Sequence, residues 1–397
     1  MAGTSAGEPI LLVSVSARML AELAVGGGYD VVALDRFGDL DLQRLCPSVS
    51  VLRDLGGRGG MAALVEAAEE IGAPSVTYGA GLENQPGLVA RLAQGRTLLG
   101  CSPRTLRRVR DPAVLGASLG AAGLAYPPTF GAADAPRHAD RSRRWLRKPV
   151  RGGGGRGVRE WRGGALEGEV VVQERISGLA CSAAAVANGR SAVMLGVSEQ
   201  LVGQRALGAR GYAWCGNVVP PRLGAAQRHA LAAAAQTVCA HLAAEFELRG
   251  LFGVDLVWGR EQAWVLEVNP RPTGSLECIE AAHGVGVFAA HVASCAGRLP
   301  SAAPDPRPPR AAGKAIVFAT EDVRVGDTRG WPARGIRDLP HPGEQIKAGH
   351  PICTLISVQD SPHAVLADLE TRAAGLRVEL ALSSGSDRDA FAQRPRP

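Results

Sequence analysis

The chain is poor in aromatic residues, nearly empty of lysine, and carries no paired cysteines. Aromatics are 4% of 397 residues, too few for a surface that stacks nucleic-acid bases. The net charge of +6 is small for this length and does not mark a nucleic-acid binder. No apolar run reaches membrane-spanning length. The longest candidate, 229–246, is interrupted by Gln236, His241 and Glu245 and reads as an amphipathic helix. The opening MAGTSAGEPILLVSV lacks a basic n-region, so no signal peptide is expected. Eight cysteines form no CxxC pair, which predicts free thiols in a reducing cytoplasm. The histidines show no metal spacing, and His283 and His291 are expected on a helix surface. No GxGxxG follows the first strand, which argues against a dinucleotide site. No Walker A signature and no Ser/His/Asp or Cys/His set is present either.

Of 44 basic residues, only Lys148, Lys314 and Lys347 are lysines. With so much Ala and Gly beside the arginines, this looks like coding bias. Each surviving lysine then needs a reason, because a compact ammonium is not replaced well by guanidinium.

The first ~100 residues alternate strand and helix signals. Ile10–Val15, Tyr29–Asp35 and Ser75–Gly79 read as strands, and Ala17–Val25, Met61–Ile71 and Pro86–Gln94 as helices. Ser16 is placed as the first N-cap. This is the rhythm of an open parallel sheet, whose post-strand loops often bind ligands. Here those loops are 14–18, 36–41 and 79–84. Residues 103–123 read as one basic helical stretch and 132–142 as a loop or weak helix. Short strands with Gly-rich connections follow over 145–172, then a hairpin over 186–200, a long helix over 225–245 and a second hairpin over 251–269. Residues 301–312 are a Pro-rich linker. A smaller module is expected over 313–381 and a disordered tail over 382–397.

Two segments carry chemistry. In WLRKPVRGGGGRGVREW, Gly152, Gly153, Gly154, Gly155 and Gly157 free the backbone to wrap a phosphate chain. Lys148 precedes them on a strand, and Arg151 and Arg156 add charge. In LFGVDLVWGREQAWVLEVNPRPTGS, Phe252, Val254, Leu256 and Trp258 share one face, as do Trp264, Leu266 and Val268. Only a register pairing 258 with 264 and 255 with 267 turns both sets inward. Asp255 then lies opposite Glu267, with Asn269 two residues along. Two carboxylates that close repel unless a cation sits between them, and oxygen ligands suit Mg²⁺. The stiff Asn269-Pro-Arg271-Pro loop fixes Arg271 beside the site, and Gly274 and Ser275 open a helix whose N–H groups favour an anion. Gln173, Glu174, Arg175 and Ile176 end a strand with backbone groups suited to a base edge. The loop holding Gln200, Arg205, Arg210 and Asn217 reads as one that closes over an acidic ligand.

The order Lys-Pro-…-GGGGRG, Gln-Glu-x-Ile-x-Gly and G-V-D-L…L-E-V-N-P-R-P resembles the ATP-grasp superfamily over residues 100–300. The opening SARMLAELA and the segment DLPHPGEQIKAGHPICTLIS are similar to the predicted ATP-dependent carboligase branch. That branch is related to biotin carboxylase and includes tyramine–glutamate ligase-like enzymes of one-carbon coenzyme biosynthesis. The resemblance implies a mixed α/β and α+β architecture. Its parts are an N-terminal open parallel βαβ domain (1–100), an ATP-grasp core of two antiparallel α+β subdomains (101–300), and a small C-terminal β-rich module. It implies ATP between two antiparallel sheets, Lys148 on α/β-phosphates, residues 152–157 over the phosphates and 173–176 around adenine. Asp255, Glu267 and Asn269 hold Mg²⁺ or Mn²⁺ in this scheme, and Arg271 faces the γ-phosphate. Gly274 and Ser275 stabilise the oxyanion, while Ser16, Arg18, Arg205, Arg210 and Asn217 face substrate. The implied activity joins a small-molecule carboxylate to an amine through an acyl phosphate. Biotin-dependent carboxylation and a non-catalytic ATP-binding regulator are the alternatives; a homo-oligomer is compatible with both. Two departures stand out. The segment where many members carry an earlier lysine has only Arg107, Arg108 and Arg110. The ribose-binding acid is replaced by Leu179-Ala180-Cys181-Ser182.

Overall fold

The computed structural model describes residues 7–135, 140, 142–305 and 307–392, the last eleven of these by their backbone alone. Five short strands open the chain: β1 (Ile10–Val13), β2 (Val31–Asp35), β3 (Ser48–Ser50), β4 (Ser75–Tyr78) and β5 (Thr97–Leu99). They form a parallel sheet in the order β3-β2-β1-β4-β5. The strand order reverses between β1 and β4, where such sheets open a ligand crevice at their carboxyl ends. Helices α1 (Arg18–Gly26), α2 (Leu40–Leu45), α3 (Gly60–Glu69) and α4 (Pro86–Leu92) connect them. The helix α1 is capped by Ala17 without a side-chain bond, and Ser16 is exposed, so the expected Ser16 cap is corrected.

Residues 103–121 form two helices, α5 (Pro103–Val109) and α6 (Pro112–Ala121). The break follows from Pro112, which pushes Asp111 out of the helical region. Asp111 adopts ψ 114° and its carboxylate accepts from Ala113 and Val114 N–H, starting the second helix afresh. Of the expected 132–142 loop, 136–139 and 141 lie outside the described residues.

Two antiparallel sheets follow. Four strands, β6 (Thr129–Gly131), β7 (Trp145–Pro149), β8 (Arg159–Trp161) and β9 (Val170–Glu174), pair in the order β6-β9-β7-β8. The large sheet starts from β10 (Leu179–Asn188), β11 (Ala192–Val202), β12 (Trp214–Val219), β13 (Arg249–Gly259) and β14 (Gln262–Asn269). Alternation along β10 divides two cores. Cys181, Ala183, Ala185 and Ala187 pack with the long helix α7 (Ala225–Phe246). Ala184 and Val186 pack with α8 (Leu276–His283) and α9 (Val287–Cys295). His291 lies at this second seam and is buried, correcting the surface expectation. Its Nδ1 accepts from Leu251 N–H at 2.8 Å, and its Nε2 bonds Thr77 Oγ1 at 3.0 Å.

The C-terminal strands do not stand apart as a module. Strand β15 (Ala311–Phe318) begins inside the expected linker and pairs with β12, and β19 (Pro351–Gln359) and β17 (Ile336–Arg337) extend the same sheet to eight strands. Only β16 (Val323–Arg324) and β18 (Gln345–Ile346) form a separate ribbon. Residues Pro362–Ala392 are one helix, α10, so the expected tail is helical as far as it is described. Among the described residues no single helix is long and apolar enough to cross a membrane.

Candidate active site

The four-stranded sheet and the β13–β14 hairpin face each other across a cleft. Lys148, Pro149, Val171 and Gln173 form one wall and Leu266, Glu267 and Val268 the other; Arg110, Leu115 and Tyr126 close the end. The cleft is open to solvent along one side and has room for waters between the two walls. Lys148 Nζ donates to Gln173 Oε1 at 2.9 Å, and Gln173 Nε2 donates to Thr129 Oγ1 at 3.1 Å. Gln173 is buried, and this chain of bonds fixes the lysine's reach.

Of the strand-end residues only Gln173 lines the cleft. Glu174 N–H donates to Pro128 O, Arg175 N–H donates to Arg144 O, and the Glu174 carboxylate pairs with Arg143 at 2.7 Å. Those two backbone donors are already engaged, which corrects the picture of free groups there. Ile176 is partly buried beyond the strand.

Strand pairing places Asp255 opposite Glu267, as the alternation required. The rest of the register is corrected. A bulge after Asp255 shifts the pairing, so Trp258 lies opposite Ala263 and not Trp264. The extra residue turns Ala263 and Val265 into the core and leaves Trp264 and Leu266 partly exposed. Asp255 accepts from Gln200 Nε2 at 2.9 Å and from Asn269 Nδ2 at 3.1 Å. Even so, burial and the neighbouring Glu267 push its carboxyl up to about 7. Burial raises Glu267 too, but Lys148, Arg110 and Arg271 together hold it below the usual range. Two oxygen-donor carboxylates, one of them disfavoured as an anion, and a carboxamide fit a hard divalent cation with waters and phosphate oxygens completing its shell. Among the described residues no group of three His, Cys, Asp or Glu offers an all-protein cage.

Arg271 is anchored by Glu83 of the loop after β4, Nε to Oε1 at 2.7 Å, and its Nη2 reaches Asn269 Oδ1 at 3.2 Å. Glu83 lies in a loop flagged as ligand-binding, but its role as an arginine anchor was not legible there. Arg110 lines the cleft. Its Nη1 sits 3.9 Å from Glu267 and donates to Val268 O at 3.1 Å, while its buried Nε has no partner among the described residues. Arg107 and Arg108 stay away from the cleft, the latter paired with Glu245 at 2.8 Å. The stretch Leu179–Ser182 is ordinary strand paired to β13 and supplies no acid.

The glycine loop lies against the loop 203–213. Trp214 N–H donates to Gly154 O at 3.0 Å, and a Cβ on Gly155 would sit 1.8 Å from Tyr212 O. Gly152 O lies 3.5 Å from Arg110 Nη2; Gly153 is exposed and Gly157 has φ +77°. Arg205 and Arg210 are exposed on the facing loop. Asn217 is not on that loop: it is buried in β12, donating to Ser198 Oγ at 2.9 Å and accepting from Trp214 Nε1 at 3.1 Å. Gly274 abuts the Trp214 ring, where a Cβ would meet Cη2 at 2.5 Å, and Ser275 stands at the N-cap position of α8 without a side-chain capping bond. Arg18 is no open substrate ligand either, being 1% exposed and enclosed by carboxylates.

Residues 115–275 match the family described as ATP-grasp domain. Over those residues the chain is similar to ATP-grasp domains. Its fold is shared with solved structures. The biotin carboxylase domain of Hydrogenobacter thermophilus 2-oxoglutarate carboxylase, in complex with MgADP, ADP and bicarbonate, aligns with TM-score 0.69 and 16% identity over 90% of this chain and 88% of that one. L-amino acid ligase from Bacillus licheniformis aligns with TM-score 0.65 and 14% identity over 93% and 97%. N5-carboxyaminoimidazole ribonucleotide synthetase from Thermotoga maritima gives 0.64 and 16% over 92% and 97%. No curated protein matches the sequence.

Proposed function

We propose that this ATP-grasp protein is an ATP-dependent carboxylate–amine ligase that works through an acyl phosphate. The observation that carries this is the opposed pair Asp255–Glu267 facing Lys148 across the cleft, with Arg271 anchored at its end. Asp255, Glu267 and Asn269 would hold Mg²⁺, which neutralises phosphate charge when bound. Lys148 binds the phosphate chain, and Arg110 takes the place of the absent first lysine with a fixed guanidinium. The substrate carboxylate attacks the γ-phosphorus in line and ADP leaves, while Arg271 neutralises charge on the transferring phosphoryl group. The glycine loop, seated on Tyr212 and Trp214, keeps water from the acyl phosphate. The amine then attacks the acyl carbon, Arg271 with the Gly274 and Ser275 N–H groups stabilises the oxyanion, and inorganic phosphate leaves as the nitrogen gives up its proton and the amide forms. No side chain has to act as a covalent nucleophile. All eight cysteines are free and seven of them buried, with thiols held well above their usual range mainly by burial.

The Bacillus licheniformis ligase supports amide formation, and the resemblance to tyramine–glutamate ligase-like enzymes suggests a coenzyme precursor as substrate. The biotin carboxylase likeness supports a second reading, bicarbonate as the carboxylate. The test is Mg²⁺-dependent ADP release against amino acids, tyramine, pterin and furan precursors and bicarbonate, singly and in pairs. Release needing a carboxylate and an amine together supports the ligase; release with bicarbonate alone supports the carboxylase.

A further inference from the structure

Lys314, one of only three lysines, lies on β15 far along the chain from the cleft residues, yet it is 4% exposed. Its ammonium pairs with Glu277 and lies 5.9 Å from the centre of the Trp214 ring. Glu277 is in the first turn of α8, two residues beyond Ser275. The other Glu277 oxygen accepts from Arg18 Nη1 at 3.0 Å. Arg18 also holds Asp338 through two bonds, Nε to Oδ1 at 2.8 Å and Nη2 to Oδ2 at 3.3 Å. Asp338 keeps a left-handed φ of +54°, a strain that persists only where surrounding contacts impose it. Burial would raise its carboxyl, but Arg18 holds it down at about 2.

Four segments therefore meet around Arg18 and Glu277: the first turn of α1, the start of α8, strand β15 and the turn after β17, whose Asp338 joins through Arg18. A buried ion pair is weak evidence for stability, because desolvation offsets its attraction. This one has a directional consequence. It fixes the turn carrying Gly274 and Ser275, and through Trp214 it meets the glycine loop at Gly154.

We propose that Lys314, Arg18 and Asp338 are positioning residues that act through Glu277. They hold the Thr273–Ser275 turn and the Trp214 face in the geometry that seats the substrate carboxylate when the glycine loop closes. This rests on the ligase reading for its substrate but not for its loop contact. Lys314→Met lowers substrate-dependent turnover about 100-fold, the order expected for a displacement near 1 Å, with the KM for MgATP unchanged. In the wild type a non-hydrolysable ATP analogue with Mg²⁺ protects the bonds after Arg151 and Arg156 from trypsin; in Lys314→Met that protection is lost while the analogue still binds. Glu277→Gln combined with Lys314→Met restores thermal stability but not turnover. Wild-type turnover and protection in Lys314→Met, or recovery of both stability and turnover in the double variant, overturns the proposal and leaves a structural ion pair. If the wild type releases no ADP with any substrate pair, the ligase reading fails, and the trypsin arm still decides the positioning role.

Discussion

Gly155→Ala tests the seating of the glycine loop. A methyl there would lie 1.8 Å from the Tyr212 carbonyl oxygen, whereas real Cβ contacts essentially never fall below 3.0 Å. The neighbour is backbone and cannot swing aside, so the loop must retreat by about 1 Å, a displacement that costs on the order of 100-fold in rate when it misplaces reacting groups. The φ of +73° at this position adds about 1–2 kcal/mol for an L side chain. Gly153→Ala is the internal control, since its Cβ meets nothing within 4 Å and its φ is not positive. Turnover is read from substrate-dependent ADP release, binding from calorimetry with MgADP, and folding from thermal melting. Gly155→Ala should melt close to the wild type, bind nucleotide, and turn over about 100-fold more slowly; Gly153→Ala should match the wild type. Equal activity in the two variants would refute the claim that the loop closes by seating on Tyr212.

Three further outcomes are expected. Arg110→Met should raise the KM for MgATP about tenfold and Arg110→Lys should recover most of it, because charge at the phosphates is what the position supplies; a Met variant with unchanged KM removes Arg110 from the site. Mg²⁺ should raise the melting temperature more at pH 8 than at pH 5.5. The Asp255 carboxyl titrates near 7 against an ordinary 3.8. The metal-free form therefore loses stability as pH rises through 7, and the cation relieves that loss; a pH-independent Mg²⁺ effect contradicts the metal assignment. His291 is held neutral by burial, down to about 4 from 6.5. Its stabilising effect is complete above pH 6.5 and fades as pH falls toward 4, by about 3 kcal/mol. Urea unfolding at pH 7 and 4.5 should therefore show a smaller acid loss in His291→Gln than in the wild type.

The sequence was most legible where a local rule had one solution. Period-2 alternation in two strands forced Asp255 opposite Glu267, and the structure places them so. The same rule fails three residues away. A bulge inserts one residue without any composition signal, so Trp264 was assigned to the wrong face. Contacts made by distant chain segments were not readable. Arg18 looks like an exposed loop cation until Asp338, 320 residues on, is seen to pair with it. Lys314 showed itself only by scarcity. Residues 313–381 looked separate because a Pro-rich stretch precedes them, yet backbone pairing of β15 with β12 joins them to the central sheet. His291 has the spacing of a surface residue, and only the packing of α9 on β13 and β4 buries it.

The central claim is that the Asp255–Glu267 pair supports ATP-dependent joining of a carboxylate to an amine. The direct measurement is Mg²⁺-dependent ADP release from the wild type and from Glu267→Gln, across paired carboxylates and amines. Release should need both substrates and yield equimolar amide, and a Glu267→Gln protein that melts like the wild type should release none. ADP formation by Glu267→Gln at the wild-type rate would contradict it.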